Sequence, residues 1–464
     1  TDNVGSGTTF VVIKGHNSHG LKFVELALQK GASNIVIEDQ DVTSELLNLI
    51  KNFNFQVITV SSTRQALSNF SAQAWGFPAK KLKIIGVTGT KGKTTTVYAL
   101  RHILAKSGKQ VAMLTGVENM IGDQKFAANL TTPHPDYLHM FLAQCVKAQM
   151  EYVVMEVSAQ ALSLNRVDDL RFAGVIFTNL ELEHSEFYPS LESYFAAKCQ
   201  IFNLLTDAGF AILNSDDHWL QKILVNSPKF LNKNLVNHIV TFGSGAKMLE
   251  PDYQMQVMQP DLLSGLEFNL ISRLSEVLNY KIKQLYGIFN AYNLSGAILC
   301  TQQLGLAYEQ IKLALADFVS APGRLEIYQL PNGARGVVDY AHTPSSFQNI
   351  LTLLRKETDQ LIIIFGAGGG RDPLKRPVMG QIATQFGDQV ILTNDNPRHE
   401  DPQAIIQQII GRQNSQKFLI EYDRAKAVQI AYDLSKPGAI IVLLGKGPDE
   451  YQIIGDQKLF FSDR

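Results

Sequence analysis

The chain has 464 residues, too many for one compact hydrophobic core, and ordinary domain sizes predict about three domains. Its 42 basic and 43 acidic residues leave a formal net charge of -1, which argues against a protein that binds nucleic acid or an anionic membrane through a large basic surface. The three cysteines, Cys145, Cys199 and Cys300, lie far apart and indicate neither a disulfide framework nor a zinc site.

The sequence carries no signal for insertion into a membrane. No apolar run approaches the roughly 20 residues that cross a bilayer, and the first residues, TDNVGSGTTF, lack the charged and apolar regions of a signal peptide. Because the cysteines also suit a reducing compartment, we expect a cytoplasmic protein.

Short β-branched runs alternate with helix-length amphipathic segments along nearly the whole chain. This alternation predicts an α/β fold in which parallel strands are connected by crossover helices. Turn residues near Pro78, and at Pro322 and Gly323, suggest two boundaries. We therefore expect three domains, at residues 1–80, 81–320 and 321–464.

The strand candidates follow one another in three groups. The first unit contains TFVVIKG and NIVIED, with the helix-like KFVELALQKGA between them. The second unit opens with KLKIIGVTG and continues with VAML, EYVVMEVS, AGVIFTNL, GFAILN and HIVTFG. The third unit contains VVDYA, LIIIFGAG, QVILTND and AIIVLLGKG.

The segment GVTGTKGKTTT at Gly86–Thr96 follows a predicted strand and precedes the helix-like VYALRHILAKSG. This context is the one that a phosphate-binding loop requires, because backbone N–H groups at a helix N-terminus can surround phosphate oxygens. Lys93 would neutralise those oxygens, and the Thr94 hydroxyl would reach Mg²⁺. A glycine turn with an exposed lysine is the alternative. We predict nucleotide binding by Gly89, Thr90, Lys91, Gly92, Lys93, Thr94 and Thr95.

Charged residues end the next strand candidates. Glu156 closes EYVVMEVS, and Glu183 and His184 follow AGVIFTNL. Since ligands bind at the carboxyl ends of the strands in open parallel sheets, these side chains are candidate ligands of a phosphate-bound Mg²⁺, with solvated loop residues as the alternative. Lys198 in SYFAAKCQIF would, by itself, be interpreted as a surface lysine of an amphipathic helix.

A longer succession of motifs runs through the chain: GTKGKTT, LTTP, MEVSAQAL, TNL followed by EH, YFAAK, GIFNAYN, PGRLE, DYAHTP, GGGRDPLKRPVMG and TNDNPR. Their order resembles the Mur ligase family over essentially the whole length. Within that family the chain is most similar to the member that adds the third amino acid. Folylpolyglutamate synthases share the architecture, but DNPR and TTP would not be expected in them at these positions.

The resemblance implies a fold and a reaction. The fold would comprise a shortened UDP-sugar-binding domain at 1–80, a central P-loop ATPase domain with a mostly parallel sheet at 81–320, and a Rossmann-like amino-acid-binding domain at 321–464. The reaction would join meso-diaminopimelate to UDP-N-acetylmuramoyl-L-alanyl-D-glutamate through an acyl phosphate, with ATP converted to ADP, in peptidoglycan precursor synthesis. A monomer is expected.

The resemblance also assigns cofactors and catalytic roles. Thr94 and Glu156 would hold one Mg²⁺ ion, while His184 and a carbamylated Lys198 would hold a second. The catalytic set would be Lys93, His184, Lys198 and Arg324. Further ATP contacts would come from Asn290, Asn293, Arg324 and Asp339.

Two sets of substrate contacts are implied in the same way. The UDP-muramoyl dipeptide would meet His16, Asn17, Ser18, Thr131, Thr132, Ser158 and Arg166. Diaminopimelate would meet Arg371, Asp395, Asn396, Pro397, Arg398, Gly445 and Asp449. The arginine of DNPR matters most, because it could pair with the distal carboxylate that diaminopimelate has and lysine lacks.

The chain departs from the family pattern at several positions. Gln160 stands where a histidine is usual, Leu130 replaces an asparagine, and Pro448 with Asp449 replaces His-Glu. The alternatives are therefore the same reaction with L-lysine, a folylpolyglutamate-synthase-like ligase, and a catalytically silent nucleotide-binding paralogue.

Overall fold

The computed structural model describes residues 4–15, 18–51, 53–181, 183, 186–225, 238–245, 250–258 and 264–464. Within these ranges the chain forms three main β-sheets, of 3, 11 and 6 strands, and a separate two-stranded hairpin. The predicted three-domain α/β fold is confirmed. Each main sheet falls inside one of the three predicted residue ranges, and the domain limits themselves stay a prediction.

The first sheet is small and wholly parallel. Its strands, in spatial order, are Thr9–Val11, Asn34–Glu38 and Gln56–Val60. Its helices are Val24–Gln29, Ser44–Ile50 and Thr63–Ala74. Ile35 and Ile37 point to the same side of their strand and pack with the first two helices, because side chains alternate between the faces of a strand.

The central sheet has a parallel middle and antiparallel edges. Its strands, in spatial order, are Val277–Ile282, Leu266–Ser272, Tyr253–Val257, Ile239–Gly243, Leu205–Asn214, Phe172–Phe177, Lys83–Thr88, Tyr152–Glu156, Val111–Leu114, Glu118–Ile121 and Gln124–Ala127. The pairs from Tyr253–Val257 to Val111–Leu114 are parallel, and two antiparallel pairs extend each edge. The mostly parallel sheet is confirmed, but the hairpin edges were not anticipated from the sequence.

Helices cover both faces of the central sheet. They are Lys93–Lys106, Pro135–Lys147, Ala159–Ser163, Leu191–Cys199, His218–Val225, Ile288–Gln303 and Tyr308–Leu315. Ile85 and Val87 pack with Leu100 on one face, whereas the intervening Ile84 packs with Leu138 on the other. Alternation along one strand thus supplies both halves of the core.

The third sheet is Rossmann-like. Its strands, in spatial order, are Glu326–Gln329, Arg335–Asp339, Ile440–Leu444, Leu361–Phe365, Gln389–Leu392 and Phe418–Ile420. All pairs are parallel except the first. Its helices are Pro344–Arg355, Lys375–Phe386, Pro402–Ile410 and Arg424–Leu434. An antiparallel hairpin, Tyr451–Ile454 with Gln457–Phe460, follows.

Short 3-10 helices complete the described structure, at Gly20–Phe23, Asp39–Asp41, Pro78–Lys81, Gln200–Leu204 and Ser415–Lys417. Within the described ranges, we find no helix that combines the length and the apolar character needed to cross a membrane.

Candidate active site

The phosphate loop lies between the strand Lys83–Thr88 and the helix Lys93–Lys106. Gly89 and Gly92 both have positive φ angles, 137° and 83°, a region that favours glycine. A Cβ atom would also overlap the Thr178 hydroxyl at Gly89 and the Asn293 side chain at Gly92. The two glycines therefore serve both the turn and the close packing around it.

Lys93 and Thr94 begin the helix that follows the loop. Lys93 Nζ donates to the carbonyl oxygens of Gly89 at 3.0 Å and Thr90 at 2.9 Å. The Thr94 hydroxyl donates to Glu156 Oε1 at 2.8 Å. A hydroxyl and a carboxylate thus stand beside the predicted phosphate site, and oxygen atoms of this kind are what Mg²⁺ takes as ligands.

Lys198 lies in the core, not on the surface. Its side chain belongs to a residue that is 1% exposed, and Nζ donates to the Gly89 carbonyl oxygen at 2.8 Å. Burial, followed by the charge of Lys93, lowers the pKa of Lys198 well below its usual value. The interpretation as a surface lysine is therefore wrong, because the helix buries this face under the phosphate loop.

Three predicted site residues, His16, Asn17 and His184, lie outside the described residues. Among the residues that are described, no three or more histidine, cysteine, aspartate or glutamate side chains are grouped as a metal would need. The neighbouring Glu183 is described, and its Oε1 lies 3.3 Å from His342 Nε2 of the third unit.

A cavity of about 510 Å³ is lined by residues of both the central and the third units. It contains the predicted nucleotide contacts Asn290, Asn293, Arg324 and Asp339. Asn293 Nδ2 donates to Asn290 Oδ1 at 3.1 Å, and Asp339 accepts from the backbone N–H groups of Leu325 and Ala341 at 2.8 and 2.7 Å. Burial raises the pKa of Asp339, and the charge of Arg324 opposes that shift.

Arg324 reaches across the cavity from the third unit to the phosphate loop. One guanidinium nitrogen lies 3.4 Å from the Thr94 hydroxyl, and the guanidinium stacks over the Tyr340 ring at 4.6 Å. Its Nε is buried and makes no hydrogen bond to any described residue. A cation held here, with an unsatisfied donor, suits an anionic group in the cavity.

Lys91 makes a second connection between the two units. Its ammonium group lies 2.5 Å from Glu181 Oε2 and also contacts the Ser345 hydroxyl. Glu181 and Ser345 were not predicted as site residues. The ammonium group of Lys91 is therefore engaged between the units, next to the loop where we predicted a nucleotide contact.

The predicted contacts for the nucleotide-sugar substrate lie beside Glu156. The Thr132 hydroxyl donates to the Glu156 carbonyl oxygen at 3.0 Å and accepts from Ser158 N at 3.0 Å. Arg166 Nη1 donates to the Thr132 carbonyl oxygen at 3.0 Å, and Thr131 lines the 510 Å³ cavity. Ser18 is described in the first unit, where its carbonyl oxygen accepts from Gly15 N at 2.9 Å.

Two further cationic or titratable residues approach Arg166 and were missed from the sequence. Arg64 belongs to the first unit and donates to the Lys14 carbonyl oxygen at 2.6 Å. Burial lowers the pKa of His134, and the nearby positive charges of Arg166 and Arg64 lower it further. A signal for Arg64 was available, since it stands in the first turn of the helix Thr63–Ala74, where the helix dipole disfavours a cation.

The third unit brings most of the predicted amino-acid contacts together. A Cβ on Gly445 would lie 2.8 Å from Asp395 Oδ2, and Asn396 Oδ1 accepts from Ile453 N at 2.9 Å. Pro397 and Arg398 continue the same loop. The Arg398 guanidinium donates to the Gly369 carbonyl oxygen at 2.9 Å.

The two remaining predicted contacts lie to either side of this group. Arg371 is exposed. Asp449 is partly buried and lines the 510 Å³ cavity, and desolvation raises the pKa of its carboxyl group. A carboxylate near the boundary between nucleotide and amino-acid contacts could meet an incoming amine.

Known proteins match the chain along its whole length. Family models match at residues 2–75 (Mur ligase family, catalytic domain), 87–301 (Mur ligase middle domain) and 323–447 (Mur ligase, glutamate ligase domain). The chain is 35% identical over 467 residues to UDP-N-acetylmuramoyl-L-alanyl-D-glutamate--2,6-diaminopimelate ligase of Clostridium perfringens, covering 99% of this chain and 91% of that one. The enzyme of the same name from Syntrophomonas wolfei is 36% identical over 468 residues, with 99% and 91% covered.

Solved structures support the same assignment. A structure of UDP-N-acetylmuramoyl-L-alanyl-D-glutamate--2,6-diaminopimelate ligase aligns with a TM-score of 0.65 at 27% identity, covering 100% of this chain and 91% of the other. Mycobacterium tuberculosis folylpolyglutamate synthase aligns with a TM-score of 0.65 at 16% identity, covering 82% and 92%, which shows the fold alone. The chain belongs to the Mur ligase family.

Proposed function

We propose that this Mur ligase joins meso-diaminopimelate to UDP-N-acetylmuramoyl-L-alanyl-D-glutamate and converts ATP to ADP and phosphate. The relatives that match nearly the full chain carry the name of that reaction. The observation that carries the proposal is the shared cavity. Phosphate-loop residues, the substrate candidate Thr131, and Arg324 of the third unit all line it, so nucleotide and acceptor carboxylate could meet there.

The reaction would proceed in two displacements. A substrate carboxylate oxygen attacks the γ-phosphorus of ATP, an O–P bond forms, and ADP leaves. The amine of diaminopimelate then attacks the acyl carbon, the amide bond forms, phosphate leaves and the amine loses a proton. Both steps bring negative charges together, so positioned cations matter more than acid-base catalysis.

Lys93 and Arg324 are the proposed charge-stabilising residues. Lys93 lies at the phosphate loop, and Arg324 approaches the same loop from the opposite unit. Mg²⁺ held by Thr94 and Glu156 would neutralise phosphate charge. Asn290, Asn293 and Asp339 would complete the ATP site.

We also propose that Lys198 acts as a carbamate. An unprotonated lysine amine can add to CO₂, forming an N–C bond with loss of a proton, and the product is a carboxylate-like oxygen ligand. Burial of Lys198 and the lowered pKa of its amine favour the neutral form that this addition needs. The role of His184 as its partner on a second Mg²⁺ ion rests on the family resemblance.

The substrate contacts keep their predicted assignments. The UDP-muramoyl dipeptide would be held by His16, Asn17, Ser18, Thr131, Thr132, Ser158 and Arg166. Diaminopimelate would be held by Arg371, Asp395, Asn396, Pro397, Arg398, Gly445 and Asp449. We propose that the enzyme acts as a monomer in the cytoplasm.

Phosphate release distinguishes this function from the alternatives. The assay uses ATP, Mg²⁺ and the UDP-muramoyl dipeptide, with diaminopimelate, lysine or no amino acid, and a parallel reaction contains a folate and glutamate. We expect release that depends on both the dipeptide and diaminopimelate. Equal release with lysine, release only with the folate, or ATP binding without release would each reject the proposal.

A further inference from the structure

Two loops of the third unit are in direct backbone contact. The turn Gly368–Gly370 follows the strand Leu361–Phe365, and the segment containing Arg398 follows the neighbouring strand Gln389–Leu392. Gly369 N donates to the Asn396 carbonyl oxygen at 2.9 Å, and Arg398 Nη1 donates to the Gly369 carbonyl oxygen at 2.9 Å. The direction of the Arg398 guanidinium therefore depends on where the glycine turn lies.

The backbone of Arg398 is held in an uncommon conformation. Its φ angle is 53°, in the left-handed region that residues other than glycine rarely adopt. Its N–H donates to the Ile453 carbonyl oxygen at 3.0 Å, and its carbonyl oxygen accepts from Gly455 N at 2.7 Å. Such a conformation persists only when its surroundings determine it, so the position of this residue depends on its neighbours.

An ion pair behind the loops holds both ends of the glycine turn. Arg376 is 1% exposed, and its two terminal nitrogens donate to Glu400 Oε1 at 2.5 Å and Oε2 at 2.9 Å. Arg376 Nη2 also donates to the Gly368 carbonyl oxygen at 2.9 Å. Glu400 Oε2 accepts from Gly370 N at 2.9 Å.

We propose that Glu400, paired with Arg376, is a positioning residue that orients Arg398 and so sets the preference for amino acids with a distal carboxylate. This inference rests on the proposed function. Glu400 acts through the glycine turn and needs no contact with the substrate. Removing its charge frees Gly370 N and one side of the Arg376 guanidinium, which lets the turn and Arg398 move together.

The test variant is Glu400→Gln, which keeps the shape of the side chain and removes its charge. We expect the ratio of kcat/KM for diaminopimelate to kcat/KM for lysine to fall at least about threefold, as for a charge-assisted hydrogen bond weakened at one remove. The KM for diaminopimelate should rise, while the KM for ATP stays within about twofold, because the ATP contacts lie in another cavity. A merely structural role would lower all three constants of the folded fraction alike.

Asp388→Asn is the matched control. Asp388 pairs with Arg355 at 2.6 Å and accepts from Leu361 N at 2.7 Å, so it too joins an arginine and a backbone N–H group. It lies at the opposite ends of the strands, before Gln389–Leu392 and beside the start of Leu361–Phe365. We expect an unchanged amino-acid ratio in this variant.

The outcomes separate this inference from the proposed function. If the unmodified enzyme does not prefer diaminopimelate, the proposed function is wrong in its amino acid. If it does prefer diaminopimelate and Glu400→Gln keeps the full ratio, the positioning role is refuted. Should Glu400→Gln fail to fold, Arg376→Lys, which keeps the charge but not the two-armed geometry, must lower the ratio or the inference fails.

Discussion

Lys198 Nζ and Lys93 Nζ both donate to the carbonyl oxygen of Gly89, at 2.8 and 3.0 Å. Two ammonium groups this close to one acceptor would repel each other in a buried site, and the charge of Lys93 does lower the pKa of Lys198. Conversion of Lys198 to an anionic carbamate would turn that repulsion into attraction.

Lys198→Ala should therefore be nearly inactive, because the variant loses the proposed oxygen ligand as well as the buried amine. Added short carboxylates should restore part of the activity by supplying an oxygen ligand to the vacated space. Steady-state phosphate release measures both effects. Lys147→Ala, which removes an exposed helical lysine, should keep full activity, and an active Lys198→Ala would contradict the carbamate.

The pH dependence of stability tests the buried amine itself. In CO₂-free buffer, the pKa of Lys198 is lowered in the folded chain and ordinary, near 10.5, in the unfolded chain. The unfolded state therefore binds more protons between these two values, and the contribution of Lys198 to stability rises with pH across that interval.

We expect the difference in unfolding free energy between Lys198→Met and the unmodified protein to shrink as pH rises from 6 to 9, over the range where the unmodified amine loses its penalty. Urea denaturation at each pH measures it. A difference that stays constant with pH would mean that Lys198 is not buried as an amine.

Lys93→Ala should abolish turnover, since a positioned cation facing developing phosphate charge is worth several kcal/mol. Single-turnover ADP formation measures the effect. Lys106→Ala is the control, because Lys106 ends the same helix and its side chain is 51% exposed. ADP formation near the unmodified rate in Lys93→Ala would reject its assignment to the phosphates.

Arg398→Ala should reduce the preference for diaminopimelate over lysine at least tenfold, about 1.4 kcal/mol, as expected for a charged hydrogen-bonded pair. An unpaired guanidinium penalises lysine as well as favouring diaminopimelate, so one residue contributes both effects. Competition assays give the ratio of kcat/KM. Arg412→Ala, at an exposed arginine of the same unit, should leave the ratio unchanged, and the same result for Arg398→Ala would refute the assignment.

Asp463→Asn should destabilise the protein by about 3–5 kcal/mol, because it leaves a buried arginine without its counter-charge. Asp463 pairs with Arg424 at 2.6 Å, and both side chains are 0% exposed. The Arg424 guanidinium also donates to the carbonyl oxygens of Asn394 and Leu444, directly before the predicted amino-acid contacts Asp395 and Gly445.

Urea denaturation measures the loss, with Asp317→Asn as the control. Asp317 pairs with Lys106 at 2.5 Å, but the two side chains are 59% and 51% exposed, so the control should cost less than about 1 kcal/mol. Equal losses in the two variants would show that burial of Arg424 is not what makes its pair important.

Local sequence determined the elements and the family of this protein. The phosphate loop could be predicted because its glycines, lysine and threonine act within one turn between a strand and a helix. The α/β class followed from alternating periodicities, and the order of the motifs indicated the Mur ligases. Each of these signals is contained in a few consecutive residues or in their order along the chain.

Only the tertiary structure decided which side chains meet. Lys198 looked like a surface lysine because its own helix carries no strong amphipathic pattern, yet the fold places it beneath Gly89. Arg376 and Glu400 are 24 residues apart in the chain, and Lys91 and Ser345 are 254 apart. The free energy of such contacts depends on burial and on the geometry of packed sheets, and periodicity along a single segment contains neither.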